Sequence, residues 1–257
     1  MRLTTLLTAA LLTAVPAAVT ALPASAATCI APTTKTSVAP RTVVLDATGM
    51  ASFNVVVAVT HHGCALGTVE ALVTSPDRNS VKMTLVAEVG DQATTYYSGT
   101  LDLTAAELDN ADAGTWKVRT TTHWGQDAAG VEAKTETAVV SSGKVKVLAA
   151  ADLSADATSG ALRKGKISKG RTLTVKGTLT RARWETAINT GYAKQRVQLQ
   201  FRTPKGTYKS VKSVSTKSGG AYSTSVKAVK DGCYRVVFHG SKTTAAAPSP
   251  GECINVR

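Results

Sequence analysis

Side chains that commonly carry catalysis are sparse in this sequence of 257 residues. It holds four histidines (His61, His62, His123 and His239) and none of the GxSxG, HExxH or Walker patterns that mark hydrolases, metalloproteases or nucleotide sites. A Ser-His-Asp triad is recognised by geometry, but no serine here stands in a nucleophile motif. We therefore predict a non-enzymatic protein without cofactor or catalytic metal.

Two short clusters contain residue types that commonly bind metal ions. His61, His62 and Cys64 combine zinc ligands, but no second CxxC or HxxxH pair completes a four-ligand site. Three carboxylates between residues 107 and 112 suggest calcium, but their spacing does not match an EF-hand loop. We expect a structural corner at this second cluster and no metal at either.

The four cysteines fall into two pairs along the chain, Cys29 with Cys64 and Cys233 with Cys253. Four cysteines allow three pairings, and spacing alone does not choose among them. We predict pairing within each half, which would close loops of 35 and 20 residues. Each closure would stabilise the fold by about 3–4 kcal/mol. Such bridges persist outside the cytoplasm, so this prediction depends on export.

Residues 1–27 have the properties of a cleaved signal peptide. Arg2 precedes an apolar run rich in Leu and Ala, Pro16 interrupts it, and Ala24-Ser25-Ala26 supplies the small residues that a signal peptidase accepts. A membrane anchor would need roughly 20 uninterrupted apolar residues, and Thr28 fits poorly before a lipidated cysteine. We predict a secreted, extracellular protein with no membrane span in the mature chain.

The segment 149–160, AAADLSADATSG, is small, polar and without an apolar period. This composition predicts a linker between two domains, residues 28–148 and 161–257. Apolar residues alternate with polar ones on both sides of it, and no extended 3.6-residue period is visible. The clearest alternating sets are Phe53, Val55, Val57 and Val59 in the first domain, and Leu173, Val175 and Leu179 in the second. We therefore predict an all-β protein.

Several stretches of the second domain resemble one known family. These are RKGKISKGRTLTVKGTLTRARW, GYAKQRVQLQFR, TYKSVKSVSTKSGGAYSTSVKA and DGCYRVVF. They resemble the immunoglobulin-like modules common in secreted proteins of actinobacteria such as Streptomyces. ADAGTWKV in the first domain resembles the same family, with an acidic residue and a glycine before an aromatic. The resemblance implies two tandem immunoglobulin-like β-sandwiches, but no activity or functional residues to transfer.

Charge is the strongest functional lead. Residues 28–148 hold nine Lys/Arg and twelve Asp/Glu, a net charge of −3, whereas residues 149–257 hold twenty and five, a net charge of +15. A basic surface on one sheet would attract an anionic cell-wall polymer such as teichoic acid, extracellular nucleic acid, or an acidic protein surface. Alternatively, these residues only solubilise the protein and protect strand edges. The candidate polyanion-binding residues are Lys176, Arg181, Arg183, Lys194, Arg196, Arg202, Lys209 and Lys212.

The loop 240–252 is the second lead. If Cys233 and Cys253 bridge adjacent strands, they fix both ends of a loop of small residues at one pole of the domain, where immunoglobulin-like domains place binding loops. Lys242, Thr243 and Pro248 are its candidate binding residues. The loop would equally suit a protease inhibitor or an inert connection.

Together these features predict a secreted, non-enzymatic binding protein whose basic second domain binds an anionic cell-wall polymer or another extracellular protein. A scaffold module without its own ligand is one alternative, and a protease inhibitor or hydrolase accessory domain is another. No RNP, zinc-finger or helix-turn-helix pattern predicts sequence-specific binding of nucleic acid.

Overall fold

The structure is a computed structural model that describes residues 30–62, 64–88, 90–91, 93–125 and 137–257. The predicted signal peptide and Cys29 lie outside these residues. The described residues form β-strands and short 3₁₀ turns, with no α-helix among them, so the predicted all-β class is confirmed. Within those ranges, no helix is long and apolar enough to cross a membrane.

The described residues of the first unit, 30–149, form eight strands in one sheet. The strands are β1 (Ile30–Ala39), β2 (Thr42–Leu45), β3 (Met50–His62), β4 (Ala65–Thr74), β5 (Ser80–Glu88), β6 (Thr94–Thr104), β7 (Gly114–Gly125) and β8 (Thr137–Ala149). Their order is β1-β3-β6-β5-β4-β7-β8-β2. Strand β5 pairs first with β4, over residues 80–85, and then with β6, over residues 86–88. It therefore joins the two halves of the sheet.

The core of the first unit comes from the alternating residues that the sequence indicates. Phe53, Val55, Val57 and Val59 of β3 are buried, and they share one core cluster with residues of β4, β7 and β8. The cluster therefore joins residues from both halves of the sheet.

The carboxylates between residues 107 and 112 form a structural corner. Asp112 is buried, and its side chain accepts hydrogen bonds from Asn79 Nδ2 at 3.1 Å and from the Asp109 N–H at 3.0 Å. The indole Nε1 of Trp116 donates to the Asp112 carbonyl at 2.7 Å. Through its carboxylate and its backbone carbonyl, Asp112 thus ties the turn between β4 and β5 to the start of β7.

The second unit, residues 151–257, contains eleven strands in two sheets. The strands are β9 (Ala151–Leu153), β10 (Asp156–Thr158), β11 (Lys166–Ile167), β12 (Thr172–Arg183), β13 (Ile188–Gly191), β14 (Arg196–Arg202), β15 (Lys209–Ser215), β16 (Ala221–Lys227), β17 (Gly232–Phe238), β18 (Ala247–Pro248) and β19 (Glu252–Val256). In one sheet β9, β10, β13 and β16 all pair with β12. The other runs β11-β19-β17-β14-β15, with β18 beside β17.

Both sheets of the second unit contribute to one core. Leu173, Val175 and Leu179 of β12 are buried in the same cluster as Val197 and Leu199 of β14. The segment 149–160 differs from the linker we predicted, because β9 and β10 both pair with β12. Leu153 and Ala157 enter the core of the second unit, and Ala149 enters that of the first, although the segment is otherwise small and polar.

The two units touch through the end of β12. Trp184, just beyond this strand, is buried in the core cluster of the first unit, and its Nε1 donates to the Leu45 carbonyl at 3.4 Å. Asn110 Oδ1 accepts the Trp184 N–H at 3.2 Å, and Glu185 Oε1 accepts the Asn110 N–H at 3.2 Å. A tryptophan from the second unit is therefore part of the first unit's core.

Candidate polyanion-binding surface

The eight predicted basic residues are divided between the two sheets of the second unit. Lys176, Arg181 and Arg183 lie on β12. The other five lie on or beside β14 and β15: Lys194, Arg196, Arg202, Lys209 and Lys212. Because the two sheets share one core between them, these two groups do not form one continuous stripe.

The three cations on β12 have partners inside the protein. Lys176 Nζ lies 4.0 Å from Asp156 Oδ2, and Arg183 Nη2 lies 3.1 Å from Glu185 Oε2. The Arg183 guanidinium lowers the pKa of Glu185, chiefly through this hydrogen bond. The Arg181 guanidinium carbon lies 4.7 Å from the centroid of the Tyr192 ring. Lys176 and Arg183 therefore each have a carboxylate partner, whereas Arg181 stacks on an aromatic ring.

The outer face of β14 and β17 holds a second set of cations. On β14, Val197 and Leu199 are buried, whereas Arg196 is exposed and Gln198 and Gln200 are partly exposed. Residues that pair directly across antiparallel strands share a face, and Arg235 of β17 lies opposite Gln200. Arg235 therefore belongs to the same outer face as Arg196 and Arg202.

An aromatic ring brings two of these arginines together. The guanidinium carbon of Arg235 lies 4.0 Å from the centroid of the Tyr208 ring, and that of Arg202 lies 5.1 Å from it. Both distances are within the range of cation–π attraction. Tyr208 lies close over Gly251, where a Cβ would collide with the Tyr208 hydroxyl. We name this set, Arg202, Tyr208 and Arg235, the arginine cluster.

A chain of hydrogen bonds orients the arginine cluster. Arg235 Nε donates to Gln200 Oε1 at 2.9 Å, and Gln200 Nε2 donates to Gln198 Oε1 at 3.1 Å. His239 Nε2 lies 3.1 Å from the same Gln198 oxygen, which can only accept. Among the described residues, no carboxylate pairs with Arg202 or Arg235. Their terminal N–H groups can therefore donate to an external anion.

The remaining basic candidates lie around this face and not on it. Lys209 and Lys212 of the edge strand β15 pair opposite Phe201 and Leu199, whose side chains point toward the core. Charged residues in such positions on an edge strand discourage pairing with another chain. Lys194 lies in the turn before β14, where its backbone N–H donates to the Thr216 carbonyl at 2.9 Å.

The loop 240–252 is packed against the protein over part of its length. The Thr243 carbonyl accepts the Ala149 N–H at 3.0 Å, and the Ala245 N–H donates to the Ala149 carbonyl at 2.9 Å. Lys242 is exposed, and Pro248 is exposed in β18 opposite Val237. Backbone bonds to the first unit thus hold the centre of this loop, which limits its use as a free binding loop.

The Cys233–Cys253 disulfide is present and joins directly opposed residues of β17 and β19, with Cα atoms 3.8 Å apart. Cys233 also lies opposite Arg202, so the bridge lies beside Arg202 on the same sheet face. Cys64 is also disulfide-bonded, which removes it as a zinc ligand. The predicted Cys29–Cys64 pairing involves a residue outside those that the structure describes.

Arg235 and Tyr208 are the residues of this surface that the sequence did not single out. Arg235 could have been found by extending the alternation from Tyr234 and Val236, which are both buried. Tyr208 lies outside any strand, between β14 and β15. No local pattern indicates that its ring reaches β17.

No protein-family model matches the chain, and no curated protein matches it. Among solved structures it is similar to a protein of the DUF4785 family from Legionella pneumophila, with 12% sequence identity and a TM-score of 0.37. The alignment covers 83% of this chain and 54% of that one, so this chain spans about half the length of the Legionella protein.

Proposed function

We propose that the protein is a secreted, non-enzymatic binding protein built of two immunoglobulin-like β-sandwiches. The two units share a topological feature that supports this architecture. In each, a short early strand pairs in parallel with the last long strand, β2 with β8 and β11 with β19. In each, a glycine that follows an acidic residue is the first residue of a strand, β7 or β17. This strand carries the aromatic residue of the corner, Trp116 or Tyr234.

The proposed ligand is an anionic cell-wall polymer, and the proposed site is the outer face of β14 and β17. The arginine cluster is the observation that carries this proposal. It presents two guanidinium groups that are held by an aromatic ring and a glutamine and that have no described carboxylate partner. Preordered guanidinium groups lose little side-chain entropy when they bind an anion.

Retention on purified cell wall tests this proposal. The full mature chain is compared with Arg202→Gln/Arg235→Gln, on walls with and without their anionic polymers, at low and moderate salt. Two charge-assisted hydrogen bonds should contribute enough that the variant binds about 10- to 100-fold more weakly. Moderate salt should weaken binding of the wild-type protein steeply.

Lys169→Gln/Lys227→Gln is the matched control, because it removes two exposed positive charges elsewhere in the same unit. It should retain wild-type binding apart from a small loss. Recovery of every variant in the supernatant under all conditions would favour the scaffold alternative. Equal losses for both double variants would show that net charge, and not the arginine cluster, determines binding.

A further inference from the structure

A groove of about 830 Å³ runs along the side of the first unit, where β1 and β8 face each other. The side chains of these two strands are in contact, but their backbones do not pair in the described sheet. Thr36 Oγ1 lies 2.5 Å from Ser141 Oγ, and a Cβ at Gly143 would be 2.9 Å from Val38 Cγ2. No additional strand fits between them, because two strand spacings need roughly 10 Å. A ligand must therefore lie over the groove and be held by side chains.

The lining of this groove is basic and rich in hydroxyl groups. Among the residues that the structure describes, four cations line it, Lys35, Arg41, Lys144 and Lys146, together with five serine and threonine side chains and no carboxylate. This concentration is unexpected in a unit whose net charge is −3. Lysine ammonium groups and hydroxyl groups are both common donors to phosphate oxygens.

The adjacent sheet face also carries positively charged side chains. Lys117 of β7 lies directly opposite Lys144, and Arg119 lies opposite Ser142. Like charges directly opposite each other destabilise a sheet, and no ion pair to either lysine is present among the described residues. An anion bound between them would remove this repulsion.

We propose that this β8 surface, Lys117, Arg119, Lys144 and Lys146 with Lys35 and Arg41 beside them, binds a linear phosphate-bearing polymer. Lys144 and Lys146 lie about 6.6 Å apart along one face of the strand, and Lys117 lies about 5 Å across from Lys144. Closely spaced cations of this kind match a polymer with closely spaced charges. The proposal is independent of the arginine cluster, because it rests on another unit and other residues.

The test uses inorganic polyphosphate of defined length as the probe and the full mature chain as the protein. Arg202→Gln/Arg235→Gln provides a background without the arginine cluster. Addition of Lys144→Gln/Lys146→Gln should weaken polyphosphate binding by about tenfold or more and reduce the slope of log affinity against log salt by about two. Lys144→Arg/Lys146→Arg, which keeps the charge, should retain the binding.

Arg78→Asn/Lys82→Gln in the same background is the matched control. It also removes two positive charges from the first unit, but neither residue lines the groove, and Lys82 Nζ is already paired with Glu70 Oε2 at 2.9 Å. Equal affinity of the groove variant and this control would overturn the proposal. Poly-glutamate of matched length that binds as tightly as polyphosphate would overturn its assignment to phosphate. Wild-type affinity of the background variant for polyphosphate would assign the binding of this probe to the β8 surface and would leave the arginine cluster to the test on cell wall.

Discussion

The two units have opposite net charges, yet each carries a group of cations on one outer sheet face. In the second unit the many Lys and Arg residues are spread over both sheets and the edges, and only Arg196, Arg202 and Arg235 share the outer face of β14 and β17. In the first unit the fewer cations concentrate on β7 and β8. The position of a charged surface therefore follows from strand register and not from the net charge of the unit.

The two surfaces also differ in the chemistry of their cations. The arginine cluster uses planar guanidinium groups held by a ring and a glutamine, whereas the β8 surface uses mostly lysines with hydroxyl groups beside them. Guanidinium geometry favours oriented, bidentate contacts, and ammonium groups act as point charges. We expect the arginine cluster to be sensitive to the shape of its ligand and the β8 surface to respond mainly to charge density.

The largest expected effect concerns the contact between the units. Trp184→Ala should lower the free energy of unfolding by about 3–5 kcal/mol, because it empties a buried site in the first unit's core. Urea denaturation of the full chain measures this change. Trp184→Phe keeps most of the volume and should cost less. A loss below about 1 kcal/mol for the alanine variant would mean that the two units are stable without this contact.

A smaller effect is expected when the aromatic ring of the arginine cluster is removed and both arginines are kept. Tyr208→Ala should weaken binding of wall polymer by about tenfold, because Arg202 and Arg235 would lose a preordering contact of about 1–2 kcal/mol in total. Tyr208→Phe keeps the ring and should bind like the wild type in the same titration. If the alanine variant also binds normally, the ring has no part in binding.

The smallest expected effect is a loss of folding stability at alkaline pH, caused by buried tyrosines in both units. Burial raises the pKa of Tyr222, and the Glu252 carboxylate raises it further; burial alone raises the pKa of Tyr234 and, in the first unit, of Tyr97. Since each folded pKa lies above the unfolded value of about 10, stability is retained below that pH and lost as pH rises above it.

Tyr222→Phe should therefore reduce this alkaline loss. The measurement compares the free energy of unfolding of wild type and variant between pH 8 and about pH 11. The variant also loses the hydrogen bond from Tyr222 to the Ser154 carbonyl, so it should be less stable at pH 8 by about 1 kcal/mol. Parallel pH curves for the two proteins would contradict the prediction.

Alternation was the most informative signal in the sequence. It indicated the buried faces of β3 and β12, because side chains on a strand alternate strictly between core and solvent. It could not show which strands pair, so the division of the basic residues between two sheets and the position of Lys144 opposite Lys117 became visible only in the structure. Segment 149–160 lacked an apolar period because its buried residues are few and mostly small: Ala149 in the first core, and Leu153 and Ala157 in the second.

The most direct test of the account is a cycle of four proteins titrated with purified anionic wall polymer over a range of salt concentrations. The four are the wild type, Arg202→Gln/Arg235→Gln, Lys144→Gln/Lys146→Gln and the combination. We predict that each double variant loses binding at one surface and keeps the affinity of the other, since the surfaces share no residues, and that the combination loses both. The number of polymer-binding sites should therefore fall from two to one in each double variant, and the combination should show no steep salt-dependent binding. Identical affinities and slopes for all four proteins would contradict binding through either surface.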